Sequence, residues 1–303
     1  MADPAGALER LAERLVGRRR ELELVLAALD AGRHVVIEGP PGTGKSTLLR
    51  AVAAELGVGF QFVEGNAELT PARLVGHFDP ARVLADGYVP EIFVDGPLVT
   101  AMRDGALLYL EELNRVPEET LNVLITVMSE RELHVPRLGR LAADPGFRLV
   151  AAMNPFDAVG TARISSAVYD RVCRLSVTYQ SADEERDIVL RAVLGADREW
   201  VTKIVELVRR TREHPDLRVG ASVRGALDAT AVVAALADVR GGSPDDGDVG
   251  LDAALLSLSG RVRPREGGGR TSEEIITELW HDIFGPPAAD RGKAAGPTGP
   301  TPG

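Results

Sequence analysis

The sequence predicts an α/β fold: a mostly parallel sheet sandwiched by helices and carrying a phosphate-binding loop, followed by a smaller all-helical domain. Three observations predict it. Five short apolar runs (His34 to Ile37, Phe60 to Val63, Ala106 to Leu110, Phe147 to Ala152 and Val172 to Val177) alternate with helical patterns, as in a sheet covered on both faces. Gly39 to Ser46 reads Gly-Pro-Pro-Gly-Thr-Gly-Lys-Ser directly after the first run and before the helical Ser46 to Ala51. From Ala182 onward the strand signal stops and helical patterns take over.

Each element follows in order. Leucines and alanines from Leu8 to Leu29 recur at helical spacing between Glu and Arg, and Gly32 supplies a stop, so an amphipathic helical segment leads into the first strand. In the loop, Gly39, Pro40, Pro41, Gly42, Thr43 and Gly44 let backbone N–H groups turn toward an anion, and the helix that starts at Lys45, Ser46 and Thr47 adds its positive end. Lys45 reaches outer phosphates and the Ser46 hydroxyl meets Mg²⁺, so the chain is expected to bind a nucleoside triphosphate. Tyr88 to Leu98 carries Pro90, Gly96 and Pro97, and Leu133 to Leu141 carries Pro136 and Gly139, which marks both as hairpins or extended loops inserted between elements. Beyond the sheet, Glu184 to Leu194, Glu199 to Glu213 and Ser222 to Ala237 read as helices. Asp238 to Gly250 reads as a linker and Leu251 to Leu258 as a short apolar segment. Thr271 to Phe284 reads as a last helix with Thr271 and Glu274 as a capping box. Pro286 to Gly303, rich in Pro and Gly, is expected to be a disordered tail. The expected domains are therefore 1–180, 181–285 and the tail 286–303.

Bulk composition narrows the function classes. A chain of 303 residues with 45% hydrophobic content can bury a large core without disulfides, and its single Cys173 can form none internally. No Cys/His cluster has zinc spacing, the first twenty residues lack the apolar stretch of a signal peptide, and no run spans a bilayer. A soluble, cytoplasmic protein is expected. The net charge of −10 and an aromatic content of 4% both count against a nucleic-acid partner.

Leu107 to Leu110 is a buried strand that ends in Glu111 and Glu112, and strand geometry turns successive side chains to opposite sides. One acid then faces Mg²⁺ and the other the attacking water, the two parts that phosphoryl transfer needs beside Lys45.

Six motifs in order resemble an AAA+ ATPase, and more narrowly the MoxR branch: Leu15 to Arg18, Gly39 to Thr47, Leu107 to Arg115, Val150 to Pro155, Tyr169 to Arg171 and Gly220 to Arg224. The resemblance runs from Leu15 to Ala237. It implies Glu111 and Ser46 on the metal, Glu112 as the base, and Asn154 as the polar sensor that helps hold water. It also implies Arg171 as the finger reaching a neighbouring subunit's nucleotide, with Arg163 and then Arg115 as substitutes. Arg224 would be the sensor from the helical lid, on a helix capped by Ser222, and Val16 and Gly17 would line the adenine pocket. Two departures are Glu111 where Asp is commonest and Val223 where the family has proline; the stretch from Leu251 to Phe284 matches no family motif of known function. The family further implies ATP and Mg²⁺ as cofactors and a homo-oligomeric, hexameric ring. It implies a protein client touched by the two inserted loops and a partner with a von Willebrand factor A domain. Remodelling or activation of that partner is the expected function. A nucleic-acid-stimulated NTPase motor is the alternative, and a small-molecule kinase on the same loop is a third class.

Overall fold

The computed structural model describes residues 4–155, 164–244 and 246–285. Arg163 and the tail from Pro286 lie outside the described residues. Helices α1 (Pro4–Arg14) and α2 (Arg19–Asp30) open the chain. The segment expected to run from Leu8 to Leu29 is thus two helices, because Gly17 turns with φ 67 and Arg18 is drawn inside, only 5% exposed. Strand β1 (His34–Glu38), helix α3 (Lys45–Leu56) and strand β2 (Phe60–Glu64) follow.

The next stretch, most of which carries no periodic signal in the sequence, holds α4 (Pro71–Val75), β3 (Gly76–Phe78), α5 (Pro80–Asp86), β4 (Phe93–Asp95) and α6 (Pro97–Asp104). The hairpin or extended loop expected at Tyr88 to Leu98 is the second half of this insertion: β4 pairs antiparallel with β3 across α5. A local signal was present. Thr70-Pro71 and Asp79-Pro80 each place a capping oxygen before a proline at the first helical position, and both side chains accept backbone N–H bonds.

Strand β5 (Leu107–Glu111), a 3₁₀ turn at Leu113–Arg115, α7 (Glu118–Glu130), β6 (Glu132–Val135), β7 (Gly139–Ala142), β8 (Arg148–Met153), α8 (Ser166–Tyr169) and β9 (Val172–Ser176) complete the first unit. β6 and β7 form an antiparallel hairpin where a hairpin or extended loop is expected at Leu133 to Leu141. All five expected core strands form, in one parallel sheet of order β2-β5-β8-β1-β9. Period-two alternation splits their side chains between two cores. Val35, Ile37, Tyr109 and Val150 pack with α1 to α3 residues such as Leu11, Leu22 and Leu49. Val36, Leu108, Leu110 and Ala151 pack with Leu74, Leu98 and Leu124 from α4, α6 and α7. Burial of β1, β5 and β8 on both faces is why these central strands read as continuous apolar runs, whereas the edge strands β2 and β9 are only partly buried and carry polar residues.

A second unit begins at Gln180. It contains α9 (Ala182–Ala192), α10 (Arg198–Glu213), β10 (Leu217–Val219), α11 (Val223–Arg240), α12 (Gly247–Leu258), β11 (Arg263–Pro264) and α13 (Ser272–Phe284). The unit is helical as expected, with one short antiparallel pairing of β10 and β11 added. α12 starts inside the stretch expected as linker, because Gly241 ends α11 with φ 63 and the chain re-enters a helix six residues later. The capping box at Thr271 and Glu274 is formed.

Candidate active site

Strands β5, β8 and β1 lie side by side, and the three motif clusters sit at their carboxyl ends. Glu111 ends β5 and Glu112 follows it, Asn154 follows β8, and Gly39 follows β1. In an open α/β sheet this edge is where ligands bind. Gly39 has no room for a side chain: a Cβ there would lie 2.4 Å from the Val177 carbonyl oxygen. Gly42 and Gly44 take positive φ, 75 and 79, so the loop curls back before α3. The Lys45 ammonium donates to the carbonyls of Gly39 at 2.9 Å and Pro40 at 2.8 Å, and the Thr43 hydroxyl donates to Pro40 at 2.9 Å. The lysine already stands over the loop, where an anion would compete with those carbonyls for it. Pro41 and Thr47 are exposed on either side.

Ser46 is brought to the acid pair. Its hydroxyl donates to Glu111 Oε1 at 2.7 Å and lies 3.0 Å from the Tyr109 hydroxyl. Because the single serine proton is engaged in the bond to the carboxylate, Ser46 has only acceptor capacity left for the Tyr109 hydroxyl. Burial pushes the Tyr109 phenol well above its ordinary value, and the Glu111 charge adds to this. Sequence reasoning overlooked Tyr109, although it stands two residues before Glu111 and so on the same strand face. Ser46 and Glu111 offer an alcohol and a carboxylate oxygen, a donor set that suits Mg²⁺, which uses one or two protein oxygens and fills the rest with phosphate and water. Among the described residues no cluster of three or more His, Cys, Asp or Glu competes for a metal.

Glu112 lies one residue past the end of β5, outside the strand alternation expected to set its direction. Its backbone adopts φ 55 and its carboxylate pairs with Arg115 Nε at 2.7 Å. The Asn154 carbonyl accepts from the Asn114 side chain at 3.2 Å, which ties the end of β8 to the turn after the acids.

Arg18 is the residue the sequence reading passed over at this site. Its Nη2 donates to the carbonyls of Thr43, in the phosphate loop, and Thr178, past β9, both at 2.8 Å, and Nη1 meets Glu21 at 3.0 Å. Val16, half-buried, and Gly17, exposed, share the bend that delivers it. A buried Arg between two helices leaves no periodic signal, and only the fold reveals its acceptors.

Arg171 is exposed, with Nη1 donating to the Ala167 carbonyl at 2.7 Å and Nε to the Ser129 hydroxyl. Two residues earlier, the Tyr169 hydroxyl donates to Glu38 Oε1 at 2.7 Å, and Arg174 Nε holds Oε2 at 2.7 Å. Glu38 is 1% exposed. Burial alone would raise its carboxyl, but the bonds from Arg174 and Tyr169 outweigh that and hold it below the usual carboxylate range, while burial and Glu38 push the Tyr169 phenol up to about 12.

Arg224 belongs to the second unit, exposed on the first turn of α11. Ser222 occupies the N-cap position, yet its side chain makes no capping bond. The turn before it is held instead by Arg212, which donates to the Ala221 carbonyl at 2.7 Å and pairs with the buried Glu185.

A phosphate loop at the end of β1, with its serine bonded to an acid at the end of β5, defines a P-loop nucleoside triphosphatase. Residues 34–172 match the AAA domain of the dynein-related subfamily. The chain is 30% identical over 249 residues to YeaC, an uncharacterized protein of Bacillus subtilis, covering 73% of this chain and 74% of that one. It is 32% identical over 208 residues to the gas vesicle ATPase GvpN of Haloferax mediterranei, covering 63% and 60% respectively. Among solved structures, a candidate ATPase of Cytophaga hutchinsonii superposes with a TM-score of 0.52 at 20% identity, over 92% of this chain and 93% of that one. The Holliday junction branch migration motor RuvB of Thermotoga maritima gives a TM-score of 0.52 at 18% identity, over 91% and 74%. The chain belongs to the AAA family of ATPases.

Proposed function

We propose that this chain is a MoxR-type AAA+ ATPase that couples ATP hydrolysis at the contacts between its own copies, in a hexameric ring, to remodelling or activation of a partner protein. The observation that carries the ATP site is the bond from Ser46 to Glu111, which joins the phosphate loop to the acid pair. Lys45 and the loop amides take the phosphates, Ser46 and Glu111 hold Mg²⁺, and Asn154 and Glu112 attend the water, with Glu112 as the base once it leaves Arg115. Mg²⁺, when bound, neutralises charge on the phosphate oxygens. Arg171 completes the pocket from the adjacent copy, Val16 and Gly17 sit against the adenine, and Arg224 serves as the sensor of the helical unit.

The remodelling half of the reading is supported by the two insertions. Leu84 on α5 is 91% exposed, and Tyr88 and Val94 are about half exposed, which gives the β3–β4 insertion exposed apolar side chains suited to a protein client. The Arg137 guanidinium, at the tip of the β6–β7 hairpin, lies 3.7 Å above the Tyr88 ring, so the two insertions act as one surface. A von Willebrand factor A domain protein is the partner class proposed for it. Glu112→Gln is expected to bind ATP, assemble and retain its client without turnover, whereas Lys45→Ala should not bind ATP. Equal nucleotide affinity in wild type and Lys45→Ala would remove the loop from the site, and a many-fold stimulation of turnover by DNA or RNA would replace the protein client with a nucleic-acid one.

A further inference from the structure

We infer that Tyr169 is a positioning residue: through its bond to Glu38 it sets the Arg171 guanidinium that a subunit presents to its neighbour according to the state of that subunit's own phosphate loop. This rests on the reading of Arg171 as the finger. Glu38 is the last residue of β1 and directly precedes Gly39. It is buried and fully engaged, by Tyr169 on one oxygen and Arg174 on the other. Tyr169 ends α8, and the carbonyl of Ala167 in the same short helix accepts from Arg171. The far side of the guanidinium rests on Ser129 near the end of α7, three residues before the β6–β7 hairpin begins. The finger is therefore strung between the strand that enters the phosphate loop and the base of a hairpin. A shift of Glu38 when the loop closes on phosphate moves α8, and with it the donor offered to the next copy.

Tyr169→Phe deletes the one hydroxyl and leaves Glu38 paired with Arg174, so no buried charge is orphaned. The expected result is an unchanged Kd for a fluorescent ATP analogue, an unfolding temperature lowered by a few degrees because Glu38 Oε1 loses its donor, and a kcat lowered about tenfold, a fraction of the roughly 10³ to 10⁵ a finger supplies. The decisive measurement mixes the Tyr169→Phe and Glu112→Gln proteins in equal amounts. A Tyr169→Phe cradle then meets an intact finger from Glu112→Gln in about a quarter of randomly assembled contacts, so turnover rises to about 25% of wild type, against about 5% if the two do not assist each other. Wild-type kcat in Tyr169→Phe, or a slow enzyme that mixing fails to rescue, overturns the inference. Ser129→Ala should show the same rescue and Ser129→Thr should restore kcat, because threonine keeps the hydroxyl. If Arg171→Ala itself turns over at the wild-type rate, the finger reading fails, a result distinct from a slow Arg171→Ala beside a fast Tyr169→Phe.

Discussion

Arg18→Ala is expected to disarm the phosphate loop from behind. The Arg18 side chain is 6% exposed, Glu21 is 14% exposed and Thr43 is buried, so of the three acceptors it serves only that of the exposed Thr178 is well placed to find water. Two of them are backbone carbonyls at 2.8 Å and the third is a carboxylate at 3.0 Å. Leaving a buried acceptor unmet costs about 1–3 kcal/mol, and breaking a buried charge pair by removing one partner costs about 3–5 kcal/mol. Some relaxation is expected, which places the loss for the first unit near 4 kcal/mol. For a unit of this size each kcal/mol lowers the midpoint by about 2–4 °C, giving a drop of about 10 °C. Thr43 is part of the loop, so the Kd for ATP should rise about tenfold alongside. Arg18→Lys should fall between the two, since a compact ammonium cannot span three acceptors in two directions. Thermal unfolding with and without nucleotide reads both effects. A midpoint within 2 °C of wild type together with an unchanged Kd would refute the idea that Arg18 clamps the loop.

Three further outcomes are expected. His34 is buried, accepts the Leu149 N–H at 2.9 Å and is held neutral: burial first, then Arg148, Arg131 and Arg33, bring its value down to about 4. The folded value lies below the unfolded one of about 6.5, so this stabilisation is complete above pH 6.5 and is lost as the pH falls toward 4, a slope worth about 3 kcal/mol. Urea midpoints from pH 7 to 4.5 should fall for wild type and stay flatter for His34→Gln, and parallel curves would count against it. Gly39→Ala forces a Cβ against the Val177 backbone, so β9 must move or the loop must tilt, at a cost of about 1–3 kcal/mol and a measurable loss of ATP affinity; an unperturbed variant would show that the contact relaxes freely. Thr271→Ala removes the formed capping box of α13 and should lower the stability of the second unit by about 1 kcal/mol. Its kcat at saturating ATP should not change, and a fall in kcat would give α13 a part in turnover.

The parts of the site legible in the sequence are those written in consecutive residues. Gly39 to Ser46 spells a loop whose spacing is its geometry, and the central strands β1, β5 and β8 announce themselves because a strand buried on both faces must be apolar throughout, while the edge strands β2 and β9 mix apolar with polar residues. The insertion from Pro71 to Asp95 was harder, since its helices are short and its strands span three residues each, too few for a period to register. Thr70-Pro71 and Asp79-Pro80 were the readable clues. The break at Gly17 was hidden for a related reason: leucine spacing continues across it, and only the inward turn of Arg18 interrupts the helix.

By itself, then, the sequence determined the class of fold, the position of the phosphate loop, the pair of acids and the helical character of the second half, because periodicity and short motifs act over a few residues. Which distant residues meet was decided by the tertiary structure alone. Parallel order β2-β5-β8-β1-β9 brings Ser46 to Glu111 and Tyr109. The same order sets Glu38 against Tyr169 and Arg174, and Arg18 against Thr43 and Thr178. The physical reason is that a hydrogen bond is satisfied by distance and angle, whatever the separation along the chain, and a buried polar group takes the partner that packing puts within reach.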